Sequence, residues 1–152
     1  MYITLESDYA VRIISVLTID GGRVDASRIS ERACVTLRFA LKILRKLVAA
    51  DIVKSFKGTQ GGYQLNMKPS EITLRMVIEA IEGTYYFSRC LSDEYGCSRG
   101  ADGICCYQKA FGEITELVRD KLDSYNFADL ISGSEEFQEL RNEQEQSELS
   151  PE

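Results

Sequence analysis

Histidine is absent from all 152 residues of this chain. That absence removes the commonest general base, the Ser/His and Cys/His nucleophile pairs, and every metal site that needs an imidazole. Most enzymatic readings lose their chemistry here, and a protein that is not an enzyme is expected. No stretch approaches the roughly 18 consecutive apolar residues of a membrane-spanning helix, and the opening residues lack the charged, apolar and small-residue zones of an export leader. The expectation is a cytoplasmic protein with no membrane partner. What is present is 44% apolar residues, enough for one domain with an appendage to bury a core.

The formal charge of −6 averages two unlike halves. Residues 1–75 hold twelve Lys and Arg against seven Asp and Glu, whereas residues 76–152 hold six against seventeen. The last twenty residues contribute one Arg and seven Glu, so the remainder is neutral. A basic front half predicts a local polyanion-binding face, because phosphates are neutralised by a patch of cations whatever the total charge. Ordinary solvated surface charge is the alternative that the asymmetry alone leaves open.

Leu5, Ala10, Ile13, Ile14 and Leu17 recur at helical spacing, predicting a helix over about 4–19 that closes at Gly21-Gly22. Two further helical patterns, Ala26 to Ala33 and about Thr36 to Ala50, are separated by so few residues that they must cross steeply, which is the helix-turn-helix arrangement. In the second, Leu37, Ala40, Ile43, Leu44 and Leu47 form the expected buried stripe. The segments Ile52 to Phe56 and Tyr63 to Leu65 alternate around a tip with three glycines, predicting a β-hairpin wing. A helix over about 72–82 with Gly83 as its cap closes the module.

Beyond it, residues 84–105 show little apolar periodicity. Phe111, Ile114, Leu117, Val118, Leu122 and Tyr125 then mark one face of a helix over about 106–126, some 30 Å long at ~1.5 Å per residue. Such an apolar stripe outside a small module predicts packing against a second copy. The expected fold class is therefore mainly α. A winged helix-turn-helix with a small hairpin wing spans 1–83, a cysteine-bearing loop spans 84–106, a long dimerisation helix spans 107–131, and an acidic disordered tail spans 132–152.

A helix that reads double-stranded DNA enters the major groove with its N-terminal side chains at the base edges. Thr36, Arg38, Phe39, Leu41 and Lys42 take those positions, with Arg38 suited to a guanine and Leu41, if exposed, to a thymine methyl. Lys57 beside Gly58 at the hairpin tip suits the minor groove. Arg28, Arg45, Lys46 and Lys54 are expected on phosphates. A winged helix used for protein contacts is the competing reading.

Five cysteines require a second account. Cys90, Cys97, Cys105 and Cys106 fall within seventeen residues of one loop, in a chain expected in a reducing compartment where structural disulfides are disfavoured. Their spacing contains no C-x₂-C pair of the usual zinc kind. Spacing alone leaves three readings open: an iron–sulfur cluster, zinc, or reactive and disulfide-forming thiols. Adjacent Cys105 and Cys106 project differently, so one of them is expected to be spare.

From Met1 to about Ile131 the chain resembles the family of iron–sulfur winged-helix transcription regulators typified by IscR, NsrR and RirA. The resemblance is carried by Ile3-Thr4 with Asp8-Tyr9-Ala10-Val11, Ile29-Ser30-Glu31-Arg32, Leu44-Arg45-Lys46-Leu47 leading to Ile52-Val53, Lys57-Gly58 with Gly61-Gly62-Tyr63-Gln64-Leu65, Ile72 through Ile81, and the cysteine loop before a long helix. It implies a homodimeric transcription regulator that binds a DNA operator. An iron–sulfur cluster, [2Fe-2S] or [4Fe-4S], would sense cluster or iron status, redox or nitric oxide and modulate that binding. It further implies Cys90, Cys97 and Cys106 as ligands, with Cys105 spare. Lys109 stands where IscR-type proteins place a histidine ligand. Asp8, reaching from the partner subunit, is the favoured fourth ligand, with Cys34, Cys105 or an exogenous group as alternatives. Cys34 replaces the small glycine common in the helix-turn-helix turn and is expected to be a small buried hydrophobe. Leu41 and Lys42 replace acidic and amide residues, so the operator should differ from that of IscR. A cluster-free thiol-redox regulator and an iron–sulfur protein that ignores DNA are the competing functions.

Overall fold

The computed structural model describes residues 3–134, so the acidic tail expected from 132 onward lies, beyond residue 134, outside the described residues. Thr4 is extended and its hydroxyl accepts the Ser7 amide at 3.2 Å, opening helix α1 (Leu5–Asp20); a side-chain oxygen here satisfies an amide that has no partner within the helix. Asp25 does the same for α2 (Ala26–Arg32), accepting the Ser27 and Arg28 amides at 3.0 Å each. α3 (Leu37–Ala49) follows across a tight turn. In that turn the Cys34 amide donates to the Glu31 carbonyl at 3.1 Å and the Val35 amide to the Ser30 carbonyl at 3.0 Å. This is the Schellman ending of α2, and it places Cys34 at φ +53. Cys34 is exposed, not the buried hydrophobe expected from sequence, because the left-handed backbone turns its side chain away from the core that Val35 enters.

Strands β1 (Val53–Phe56) and β2 (Gly62–Leu65) pair antiparallel, with Val53 opposite Leu65 and Phe56 opposite Gly62. Val24 adds a third edge: it exchanges both backbone hydrogen bonds with Tyr63, at 2.9 and 2.8 Å. That approach requires glycine beside it, since a Cβ at Gly62 would fall 2.6 Å from the Val24 carbonyl oxygen. α4 (Leu74–Glu82) is capped by Thr73 and ends at Gly83. Two single 3-10 turns, Pro69–Glu71 and Arg89–Leu91, bracket it. α5 (Cys106–Asp123) and α6 (Phe127–Ser132) follow and are the last elements among the described residues.

The core is one cluster in which Ile13, Ile14 and Leu17 of α1 meet Ile29 of α2, Ile43, Leu44 and Leu47 of α3, Val77 of α4, and the connecting residues Ile52, Val53 and Ile72. Each such side chain stabilises the fold by about 1.5–3 kcal/mol on burial. The mainly helical winged-helix architecture read from the sequence is the one observed.

Two details differ from the sequence reading. Leu37 does not join the buried stripe; as the first residue of α3 it is 43% exposed, and the stripe begins at Ala40. The long helix also does not run through residue 126 or 131 as one rod. It stops at Asp123, and Asn126 starts α6 by accepting the Asp129 amide at 2.9 Å. The corner is stitched to the start of α4, with the Leu74 amide donating to the Tyr125 carbonyl at 3.0 Å and the Phe127 amide to the Ile72 carbonyl at 3.1 Å. Phe127 and Ile131 are thereby buried in the winged-helix core.

Candidate nucleic-acid interface

α3 turns its apolar stripe inward, which leaves Arg38, Phe39, Lys42 and Arg45 exposed on the opposite face, with Leu41 and Lys46 half-buried at its margins. Thr36 precedes the helix in an extended conformation and its side chain makes no capping bond. Among the described residues, Arg38, Arg45, Lys54 and Lys57 have no ion-pair partner.

The two lysines of α3 are engaged. Glu6 of α1 lies between them, 3.2 Å from the Lys42 Nζ and 3.0 Å from the Lys46 Nζ. The Lys46 bond is the main reason the Glu6 carboxyl is held below its ordinary range, against the opposing effect of burial and with help from Lys42. Lys46 also donates to the Ile81 carbonyl at 3.1 Å. It therefore ties α3 to α1 and α4, where the sequence reading expected a phosphate contact. Lys42 keeps more than half of its side-chain surface in solvent. Arg28 sits 3.7 Å from Asp20, a carboxylate that also bonds Arg32.

Lys57 and Gly58 form the exposed tip of the wing, with Gly58 at φ +98. The tip is tight: a Cβ at Gly61 would lie 2.8 Å from the Phe56 carbonyl oxygen. Sequence reasoning missed Arg23. Its guanidinium stacks 3.8 Å from the centre of the Phe56 ring and donates to the Gln60 carbonyl at 2.9 Å, clamping both sides of the hairpin. The signal available was its place directly before Val24, but only the fold reveals that Val24 edges the wing.

The cysteine segment joins the module elsewhere. Cys90, Cys97 and Cys105 are half-buried, Cys106 is exposed as the first residue of α5, and all five thiols are free. Gln108 of α5 holds the segment by donating to the Cys90 carbonyl at 3.1 Å and accepting the Gly103 amide at 2.9 Å. Gly96, Gly100 and Gly103 all have positive φ, so the chain turns repeatedly between the thiols. Among the described residues no three Cys, Asp or Glu side chains come together as a metal site. Cys90, Cys97, Cys106 and Asp8 are thus not gathered in this conformation. Asp8 is instead paired within α1 to Arg12 at 2.6 Å. The donor set has the thiolate chemistry an iron–sulfur cluster needs, but its present geometry does not fit one.

Comparison with known proteins places this geometry in context. The model of the Rrf2 family, described as iron-dependent transcriptional regulator, matches residues 3–133. The HTH-type transcriptional regulator IscR of Aliivibrio salmonicida is 29% identical over 137 residues, covering 89% of this chain and 80% of that protein. The rrf2 protein of Nitratidesulfovibrio vulgaris is 28% identical over 133 residues, covering 86% of this chain and 87% of its own. Among solved structures, IscR of T. potens superposes with a TM-score of 0.68 at 23% identity, covering 90% of each chain. CymR, the global cysteine regulator of B. subtilis, superposes at 0.69 and 23%, covering 89% of this chain and 99% of that one. The two superpositions show a shared fold.

Proposed function

The chain belongs to the Rrf2 family of transcriptional regulators, and from that membership we propose that it acts as a cytoplasmic homodimer on a two-fold-related DNA operator. It is a DNA-binding regulator, not an enzyme. In this reading Thr36, Arg38, Phe39, Leu41 and Lys42 face the major groove, Lys57 and Gly58 face the minor groove, and Arg28, Arg45 and Lys54 lie along phosphates. The observation that carries it is the cationic outer face of α3, with Arg38, Lys42 and Arg45 exposed on a helix whose opposite face is locked in the core. Dimerisation is supported by apolar surface on α5: Leu117 is 70% exposed and Ile114 38%. Retention of duplex DNA tests the reading; an Arg38→Ala, Lys42→Glu pair should abolish it, and unchanged retention would refute it.

The regulatory input in this proposal is an iron–sulfur cluster, [2Fe-2S] or [4Fe-4S], on Cys90, Cys97 and Cys106, with Asp8 as fourth donor. The family's description as iron-dependent supports it; the separation of the donors means that loading has to draw the segment together. Anaerobic purification with iron and sulfide quantitation is the test. Iron with acid-labile sulfide, lost in a triple Cys→Ala variant, is expected, and a colourless preparation with stoichiometric zinc refutes it. The same separation, with five free thiols, favours a second reading, a cluster-free thiol-redox regulator. Metal-free protein whose DNA binding responds reversibly to oxidant would establish that one.

A further inference from the structure

The outer side of α3 carries more hydrocarbon than phosphate binding requires. Leu37 is 43% exposed and Phe39 48%. With the half-buried Leu41 they line a groove together with Arg38, Lys42 and Arg45. Phe39 is held in place: Tyr9 of α1 meets it edge-on, with ring centres 6.3 Å apart and planes at 68°, and the Arg12 guanidinium sits 5.4 Å over the Tyr9 ring. The apolar surface is therefore positioned before any partner arrives.

What the face lacks is equally informative. From Thr36 to Lys46 there is no Asn, Gln, Asp or Glu. Those are the side chains that read adenine through paired donor and acceptor or accept from the cytosine amino group. On α3 itself, from Leu37 onward, the readers that remain are Arg and Lys, which donate to guanine O6 and N7, and hydrocarbon, whose one apolar counterpart in the major groove is the thymine methyl; the Thr36 hydroxyl, just ahead of the helix, both donates and accepts and selects no base. A surface that mixes hydrocarbon with cations is complementary to that groove, which offers methyl groups beside phosphates.

We propose that the operator half-site is read through guanine and thymine, with Arg38 on a guanine and Leu37 and Phe39 against thymine methyl groups. The proposal rests on the DNA-binding reading above and adds the chemistry that selects the sequence. Leu41, the methyl contact expected from sequence, is half-buried in the same groove and less exposed than either. No adenine or cytosine is read directly by α3; each is specified through its paired base.

The test begins with duplexes enriched from a randomised pool by the full chain. Deoxyuridine then replaces each half-site thymidine in turn, which deletes the C5 methyl and leaves base pairing intact. At one or more positions the wild type should bind uracil about three- to fivefold more weakly than thymine, the worth of one buried methyl group. At the position read by Phe39, Phe39→Ala should bind the two duplexes equally, while Phe39→Leu should retain the preference. Both variants are checked for wild-type circular dichroism, and Leu37→Ser provides an independent arm if Phe39→Ala does not fold. Indifference of the wild type to uracil at every position overturns the inference and leaves DNA binding standing. Failure to enrich any duplex overturns the DNA-binding reading and the inference with it.

Discussion

Cys34 occupies the one position in the helix-turn-helix where the backbone asks for glycine. It holds the left-handed site of a Schellman ending at φ +53 and is exposed. A Cβ in that conformation crowds the following carbonyl oxygen at a cost of roughly 1–2 kcal/mol. Glycine removes the strain but adds about 0.4–1 kcal/mol of unfolded-chain entropy. Cys34→Gly should therefore stabilise the fold by about 1 kcal/mol, or raise Tm by about 4 °C for a chain of this size. Cys34→Ala deletes the thiol and keeps the Cβ, so it should leave stability unchanged. Urea unfolding of all three proteins, at one concentration and with reductant, measures the differences. If Gly is no more stable than Ala, the turn is not left-handed and the reasoning fails. The comparison also separates backbone from thiol, because any change in DNA binding shared by both variants reports loss of sulfur alone.

Arg23→Ala should free the wing: the effect of Lys57→Ala on DNA affinity, measured in the wild-type background, should shrink in the Arg23→Ala background, and full additivity would deny Arg23 its clamping role. Phe127→Ala removes a fully buried ring and should cost about 3–5 kcal/mol by urea unfolding; a loss below 1 kcal/mol, roughly that of a surface change, would place α6 outside the core. Leu117→Ala, at a site 70% exposed, should weaken self-association in sedimentation equilibrium, and an unchanged constant would remove α5 from the interface. Glu82 is pushed up by burial but pulled further down by hydrogen bonds from Ser7 and Thr4, so its carboxyl titrates below the ordinary 4.5. A depressed carboxyl contributes stability that is complete above that value and is lost as pH falls through the folded-state pKa. Urea midpoints should accordingly drop in acid, and less steeply in Glu82→Gln; equal slopes would refute the contribution.

The first four helices and the hairpin were legible because each carries its own periodicity and punctuation. Ile13, Ile14 and Leu17 lie on one turn of helix face, and Gly21 and Gly83 end their helices where expected. The break between α5 and α6 was not, although Asn126 three residues before Asp129 is a capping pattern. The apolar residues Leu122, Tyr125 and Phe127 blur two helices into one stripe, and only the bonds from Ile72 and Leu74 separate them. At the candidate site, residue types were readable and allegiances were not. Lys46 looks like a phosphate ligand in sequence, yet Glu6 and the Ile81 carbonyl claim it across more than thirty residues in each direction. Cys34 was misjudged because small cysteines are usually buried, and periodicity carries no information about the sign of φ.

The break after Asp123 changes what the long helix can do. A free rod appended to a DNA-binding module would let each copy's reading head swing. Here α5 is fastened to α4 by Arg75 with Asp123 at 2.7 Å, by Thr73 with Asp123 at 3.0 Å, and by Arg119 with Glu79 at 3.6 Å. Arg75 and Arg119 are only 29% and 13% exposed, so these pairs are less screened than surface ones. α4 in turn receives Lys46 of α3 on the Ile81 carbonyl and Thr4 and Ser7 of α1 on Glu82. α3, α4 and α5 are therefore linked by polar contacts over a shared core. In the proposed homodimer the distance between the two copies of α3 follows from how α5 packs on its twin. Under that proposal a change in the cysteine segment would reach DNA by moving α5, into which Cys106 and Gln108 lead, and half-site spacing would be the quantity under control while base choice stayed with the surface of α3.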